Sequence, residues 1–174
     1  VAEVESQVGY TLKPMTEECA IEIVEWRYPE PFAVYNPIDG HAGEYIAHLM
    51  EPHHNYHAVF QEDRLVGYCC FGEDAQVPGG DYSLPETMDV GLGMHPDLIG
   101  QGRGRAFLAA ILDFAEKQYG SRQFRSTIAT FNERSQRLFA SAGFRPVQRF
   151  ISKQIGAMEF MVMVRSPQDT HSAK

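Results

Sequence analysis

Several protein classes are marked by features this sequence has little of. It holds 3 cysteines in 174 residues, Cys19, Cys69 and Cys70, an odd number with two adjacent inside an apolar run. That argues against a disulfide framework and predicts buried, reduced thiols in a cytoplasmic protein. Long apolar runs are missing: the stretch FMVMV near the end is far too short to span a bilayer, so no membrane partner is expected. The opening VAEVESQVGY is acidic and has no apolar stretch, which argues against a secretory leader. Basic charge is scarce too. Lys and Arg number 15 against 23 Asp and Glu, a net charge of −8, which speaks against nucleic acid or an acidic lipid surface as partner. Internal repeats and low-complexity tracts are also missing.

What remains is a globular composition, 44% hydrophobic and 22% charged, in a chain long enough to bury a real core. One domain over residues 1–165 is expected, followed by a loose tail, 166–174. YTLKPM opens as a strand, and Thr16 then caps a helix with Glu17 and Glu18 in its first turn. Residues 26–40, WRYPEPFAVYNPIDG, read as a loop with at most one helical turn, because prolines punctuate it. EYIAHLM reads as a short helix. YHAVFQ and LVGYCCFG read as strands joined by EDR, and TMDVGLGM as a third strand after a polar loop. Phe107, Leu108, Ile111, Leu112, Phe114 and Ala115 recur at helical spacing, which predicts a largely buried helix from Gly102 to about Tyr119, stopped by Gly120. FRSTIAT is a strand, Asn132 caps a helix that Gly143 closes, and FRPVQRFI and AMEFMVMV are final strands. The order β α (α) β β β α β α β β describes one mixed α/β layer.

The stretch HPDLIGQGRGRAF places Gly100, Gly102 and Gly104 where a strand gives way to this helix. Glycine inside a helix costs about 1 kcal/mol relative to alanine. At a helix start that cost is confined to the first turn, and the unpartnered N–H groups there carry partial positive charge. With the side chains gone, an anion can sit on those groups, so a phosphate cradle is expected. It is not a P-loop, because Arg105 and Ala106 follow Gly104 instead of Lys and Ser or Thr. It is not the dinucleotide fingerprint either: the last glycine would fall on Arg105 or Phe107, and no acidic residue follows in SRQFRST.

IGQGRG followed by RAFLAAIL resembles the acyl-CoA pyrophosphate loop of the GNAT superfamily of N-acyltransferases. The family pattern of Gln or Arg, two residues, Gly, one residue, then Gly or Ala lies on Ile99, Gly102 and Gly104, with Ile99 departing at the first position. A register starting at Gln101 fits the letters but begins deeper in the helix. MDVGLGMHPDL is similar to the family's fourth strand, and FNERSQRLFASAGF to its second signature of an Asn cap, a short helix and Gly-Phe. WRYPEPFAVYN is similar to the aromatic acceptor loop of a bacterial subgroup. The resemblance implies an α/β GNAT fold: a mixed central sheet of about seven strands flanked by about four helices.

It also implies an acetyl-CoA-dependent N-acetyltransferase in which a primary amine attacks the thioester directly in a ternary complex. The cofactor-binding residues so implied are Leu92, Met94, Ile99, Gly100, Gln101, Gly102, Arg103, Gly104, Asn132 and Phe139. An alkyl ammonium has a pKa of about 10, so neutralising it at pH 7 costs about 4 kcal/mol, and a base is useful. Asp89 is the candidate for that role, on the strand face shared with Gly91, Gly93 and His95, the alternative being a carboxylate that binds a loop or the substrate ammonium; Glu86 is a weaker candidate. Gly91 and Gly93 either let the cofactor approach or mark a bulge. The family often carries Tyr seven residues after the Asn cap, where this chain has Phe139; Ser135, one turn earlier, is the remaining hydroxyl. Trp26, Tyr28, Phe32 and Tyr35 are expected to line an acceptor pocket.

His53 and His57 are four apart, but Pro52 and the strand that follows spoil helical ligand geometry, so no metal is expected. The acceptor is a small-molecule amine or a peptide or protein amino group, its class left open by the residues; the acidic balance favours a cationic one. A homodimer through the last strands is a family-level expectation. The rival from another class is an acyl-CoA-binding domain of the same fold with little catalysis.

Overall fold

The computed structural model describes residues 9–167; the expected tail lies outside the described residues from 168 onward. β1 (Tyr10–Pro14) leads to α1 (Glu17–Glu25), α2 (Ala42–Met50), β2 (Tyr56–Gln61), β3 (Arg64–Phe71) and β4 (Thr87–Met94). Then come α3 (Gly104–Tyr119), β5 (Gln123–Ala129), α4 (Glu133–Ser141), β6 (Arg145–Ser152) and β7 (Met158–Arg165). Local chemistry sets the helix ends. Thr16 Oγ1 accepts from the Cys19 N–H at 3.2 Å, and Asn132 Oδ1 accepts from the Ser135 N–H at 3.1 Å. The aromatic loop contributes one 3-10 turn, Phe32–Tyr35.

The strands form a 7-stranded sheet in the order β1-β2-β3-β4-β5-β7-β6. All neighbours are antiparallel except β4 and β5. That parallel pairing covers only Thr87↔Gln123, Met88↔Phe124 and Asp89↔Arg125, after which the two strands part.

Alternation along β2 and β3 sends side chains to two cores on opposite faces of the sheet. Val59, Val66 and Cys69 join α3 and Phe124, Phe139 and Phe144 on one face. Ala58 and Leu65 join α1, Trp26 and Leu49 on the other. Burying each of the large phenylalanines contributes about 1.5–3 kcal/mol. Gly67 is required by this packing, since a Cβ there would lie 2.5 Å from the Phe107 ring.

One boundary differs from the sequence reading. Helix α3 begins at Gly104 and not at Gly102, because Gly100 and Gly102 have φ of +78° and +74°, outside any right-handed helix. The two glycines therefore shape the turn that precedes the helix.

Candidate active site

Where β4 and β5 part, the sheet opens into a cavity of about 850 Å³. Asp89 O accepts from Gly72 N and His95 N donates to Val66 O, so odd-numbered residues of β4 bond toward β3. The even-numbered residues Val90, Leu92 and Met94 turn their backbone groups toward the opening. Two of their carbonyls are used: Val90 O accepts from Ser126 Oγ at 3.0 Å, and Met94 O from the Tyr28 hydroxyl at 2.8 Å. Among the described residues the N–H groups of Leu92 and Met94 have no partner on that side.

The glycine loop borders the same cavity through Ile99, Gly100, Gly102, Arg103 and Gly104. Ile99 N is tied to Pro96 O, and Phe107 N to Arg103 O. Among the described residues the N–H groups between them, residues 100–106, make no hydrogen bond. Nothing lies within 4 Å of a Cβ placed on Gly102, so the loop is open above it. Gln101, expected among the cofactor-binding residues, does not border the cavity. Its Nε2 donates back to Asp97 O at 2.6 Å, and its Oε1 accepts from Arg103 Nε at 3.3 Å.

Arg103, Arg105, Arg134 and Arg137 all border the cavity, and Arg134 Nη2 reaches within 3.9 Å of where a Gly100 Cβ would be. The sequence reading missed Arg134 and Arg137, which α4 carries across from the loop. No Asp, Glu or His stands among the described residues lining the cavity. The acidic excess of the chain does not reach its wall.

Asp89 is the main correction. It is buried and absent from the cavity wall. Arg125 donates to both its oxygens, from Nε at 2.6 Å and Nη2 at 2.7 Å, and Gln76 Nε2 adds a third bond at 2.9 Å. A carboxylate held this way is the counter-ion of a buried guanidinium, and, standing off the cavity wall, it is not placed to take a proton from a substrate. Glu86 does not border the cavity either. Gly91 and Gly93 border the cavity and mark no bulge, and their lack of a side chain also serves packing: a Cβ on Gly93 would lie 2.5 Å from the Tyr68 ring, and one on Gly91 would lie 3.0 Å from Cys70 Sγ. The space they leave is taken by the protein itself.

Tyr28, Phe32 and Tyr35 border the cavity, whereas Trp26 is buried in the second core against Tyr68 and His95. Phe32, Tyr35 and Phe131 pack together at one rim. Asn132 joins that rim to α4, because its Nδ2 donates to the Tyr35 hydroxyl at 3.2 Å while its Oδ1 caps the helix. Ser135 borders the cavity, and so does Phe139, whose ring stands edge-on to Phe144 at 5.0 Å with 1% of its surface exposed.

Tyr68 was not foreseen. It borders the cavity over Gly93, and its hydroxyl makes no hydrogen bond among the described residues. Burial pushes its pKa up to about 12, with smaller contributions from Cys70 and Tyr35. Burial likewise raises Tyr28, so both phenols stay protonated at neutral pH. All three cysteines are free and buried, and burial pushes Cys70 up to about 12.

The histidines divide differently from the sequence pairing. His53 is exposed and bonds Glu51 at 2.8 Å, while the His57 ring packs against Phe71 and Phe114. His48, His54 and Asp74 converge instead, bringing two imidazoles and a carboxylate from three separate segments to one place. No described helix is long and apolar enough to cross a membrane.

The sequence profile of the acetyltransferase (GNAT) family matches residues 20–144. Among curated proteins, none matches. Solved structures do. The aminoglycoside acetyltransferase AAC(6')-Ib, solved with ribostamycin and coenzyme A, aligns with a TM-score of 0.72 at 15% identity, over 95% of this chain and 99% of that one. The ribosomal-protein-S5-alanine acetyltransferase from Vibrio fischeri aligns with a TM-score of 0.69 at 16% identity, over 97% and 98%. The putative acetyltransferase yncA from Salmonella typhimurium, solved with acetyl-CoA, aligns with a TM-score of 0.64 at 20% identity, over 95% and 97%.

Proposed function

Because the chain belongs to the acetyltransferase (GNAT) family, we propose that it moves an acetyl group from acetyl-CoA to a primary amine, by direct attack in a ternary complex. One observation carries this reading: among the described residues the N–H groups of 100–106 make no hydrogen bond, and Gly100, Gly102, Arg103, Gly104 and Arg105 of that run border the same cavity as the gap between β4 and β5. A pyrophosphate answers the first feature, and an extended amide-bearing arm answers the second.

The residues fit such a ligand. The loop N–H groups and Arg103, Arg105, Arg134 and Arg137 would hold the phosphates, the arginines standing in for the side chain that Ile99 lacks. Leu92 and Met94 N–H, Asn132 and Phe139 would hold the pantetheine arm. Acetyl-CoA supplies the thioester, an activated acyl group with a thiolate leaving group of pKa about 8.5. The Met94 N–H is a donor for the thioester carbonyl. Tyr68 keeps its proton and offers a hydrogen bond to the departing sulfur, a task expected earlier of Ser135 alone.

Asp89 is engaged by Arg125, and the described cavity wall holds no carboxylate or imidazole, so the amine must arrive neutral or lose its proton to water. An α-amino group, pKa about 8, does so at pH 7 for about 1.4 kcal/mol, against more than 4 for an alkyl ammonium. Weakly basic amines, α-amino groups among them, are the acceptors this wall supports best.

Two measurements test the reading together. Acetyl-CoA at about 100 times its dissociation constant should add about 2.7 kcal/mol of stability, seen as a melting shift. Free coenzyme A thiol should then appear with amines from a panel, α-amino compounds first. The absence of a carboxylate or imidazole from the described cavity wall, with Phe139 in place of Tyr, favours a second reading as an acyl-CoA-binding module. A full melting shift with no thiol released by any amine would select it.

A further inference from the structure

We propose that His48, His54 and Asp74 form a binding site for a divalent transition-metal ion, zinc by the nature of the donors. His48 lies in the last turn of α2, His54 closes the 3-10 turn Pro52–His54, and Asp74 sits in the 3-10 turn Glu73–Ala75. One nitrogen from each imidazole and one oxygen from the carboxylate all lie within 4.8 Å of one another. His48 Nε2 is 2.9 Å from Asp74 Oδ2, and His54 Nε2 is 4.0 Å from Asp74 Oδ1. Zinc bonds to such atoms are about 2.0–2.2 Å, which puts tetrahedral ligand atoms about 3.3 Å apart. The observed separations bracket that spacing, so rotamer adjustments suffice.

Proton positions sharpen the argument. His54 Nδ1 lies 2.7 Å from the His48 carbonyl oxygen. A carbonyl only accepts, so Nδ1 carries the hydrogen, and the Nε2 of a neutral His54 presents a lone pair. That nitrogen lies 4.0 Å from Asp74 Oδ1, an electron-rich carboxylate oxygen, and a cation between the two atoms would be bound by both. The same bond from Nδ1–H to a backbone carbonyl is what orients a metal-ligating imidazole. The Tyr56 hydroxyl donates to Asp74 Oδ2 and fixes the carboxylate in turn. The two rings stack at 3.9 Å between centroids and 29° between planes, and the Nε2 atom of each approaches the Asp74 carboxylate. His48 Nε2 shares its hydrogen with Asp74; a bound cation takes that place as the imidazole changes tautomer, its hydrogen leaving Nε2 for Nδ1.

Two imidazoles and one carboxylate suit zinc, and three protein ligands leave a fourth position for water. The side chains are 44%, 30% and 17% exposed for His48, His54 and Asp74, so an ion has a path in from solvent. None of the three borders the cavity, so the ion is a clasp and takes no part in the chemistry. It ties α2 to the turn that carries Asp74. The next residues of that turn reach the cleft: Ala75 packs at Gly91, Gln76 bonds Asp89, and Val77 lines the cavity. The ion therefore holds one wall of the cavity in place.

The test is metal binding by the untagged protein, with no acetyl-CoA present, so that it stands or falls apart from the acetyl-transfer reading. Chelator-treated protein is titrated with zinc chloride by calorimetry, and with cobalt chloride by visible absorption. The expected result is one zinc per chain, a four-coordinate cobalt spectrum, and a melting temperature raised by zinc. His54→Gln and Asp74→Asn, both conservative changes at partly exposed positions, should each remove all three signals. Tyr56→Phe should weaken zinc about 10–100-fold, the usual effect of losing a bond to a metal ligand. His53→Ala, at an exposed neighbour outside the cluster, should bind as the wild type does. Absence of saturable binding at one per chain overturns the proposal. So does equal loss in His53→Ala and His54→Gln, which would mean ordinary surface histidines.

Discussion

Asp89 and Arg125 are joined twice: they are register partners at the last position of the β4–β5 pairing, and the guanidinium holds both oxygens of the carboxylate. Breaking a buried pair from one side costs about 3–5 kcal/mol, because the remaining charge is left without compensation. Asp89→Asn should therefore lower the melting temperature by roughly 10 °C, at about 2–4 °C per kcal/mol for a chain of this size. An unchanged melting temperature with kcat down 100-fold or more would restore Asp89 as a base.

Gly102 tests the cradle. A side chain there meets nothing within 4 Å, but the φ of +74° strains it, at about 1 kcal/mol. Gly102→Glu should melt a few degrees lower and lose at least tenfold in acetyl-CoA affinity by calorimetry. Gly40→Glu carries equal strain, at φ +83° and equally open, away from the cavity. It should melt lower with affinity unchanged. Equal affinity in the two variants would refute the cradle.

Tyr68→Phe removes one hydroxyl that has no hydrogen-bond partner among the described residues, so the melting temperature should not move. If the phenol donates to the leaving sulfur, kcat should fall by about 10–100-fold with acetyl-CoA affinity kept. A rise in KM for the amine at constant kcat would mean the hydroxyl only binds the acceptor.

The pH profile follows from the cavity wall. With no carboxylate or imidazole among the wall's described residues, kcat/KM should rise tenfold per pH unit below the acceptor's pKa and level off above it. The level should shift with the amine used. Tyr68, raised to about 12 by burial, keeps its proton below about pH 11 and should cause no alkaline fall in that range. A bell with fixed limbs for every amine would point to an enzyme acid or base elsewhere.

The fold was legible because its signals are local. Apolar residues at helical spacing mark α3, and Thr16 and Asn132 mark the starts of α1 and α4 in their own first turns. The start of α3 was misplaced by the glycines, whose positive φ no propensity scale reports. The glycine turn was legible for the same local reason, since Gly100, Gly102 and Gly104 lie within one short stretch. Asp89 was misread because its partner stands 36 residues away on another strand. Tyr68, Arg134 and the His48–His54–Asp74 cluster were out of reach for that reason also: each acquires its meaning only when the sheet brings distant segments together.

The sheet is two half-sheets, β1 to β4 and β5 to β7 with β6, sharing three register pairs. A force applied across the domain passes through that narrow seam, with the buried Asp89–Arg125 pair at its end. A molecule laid in the opening becomes a second bridge between the halves. The stiffness of this protein is then a property of the complex, and amide exchange along β4 and β5 should slow together when the cavity fills.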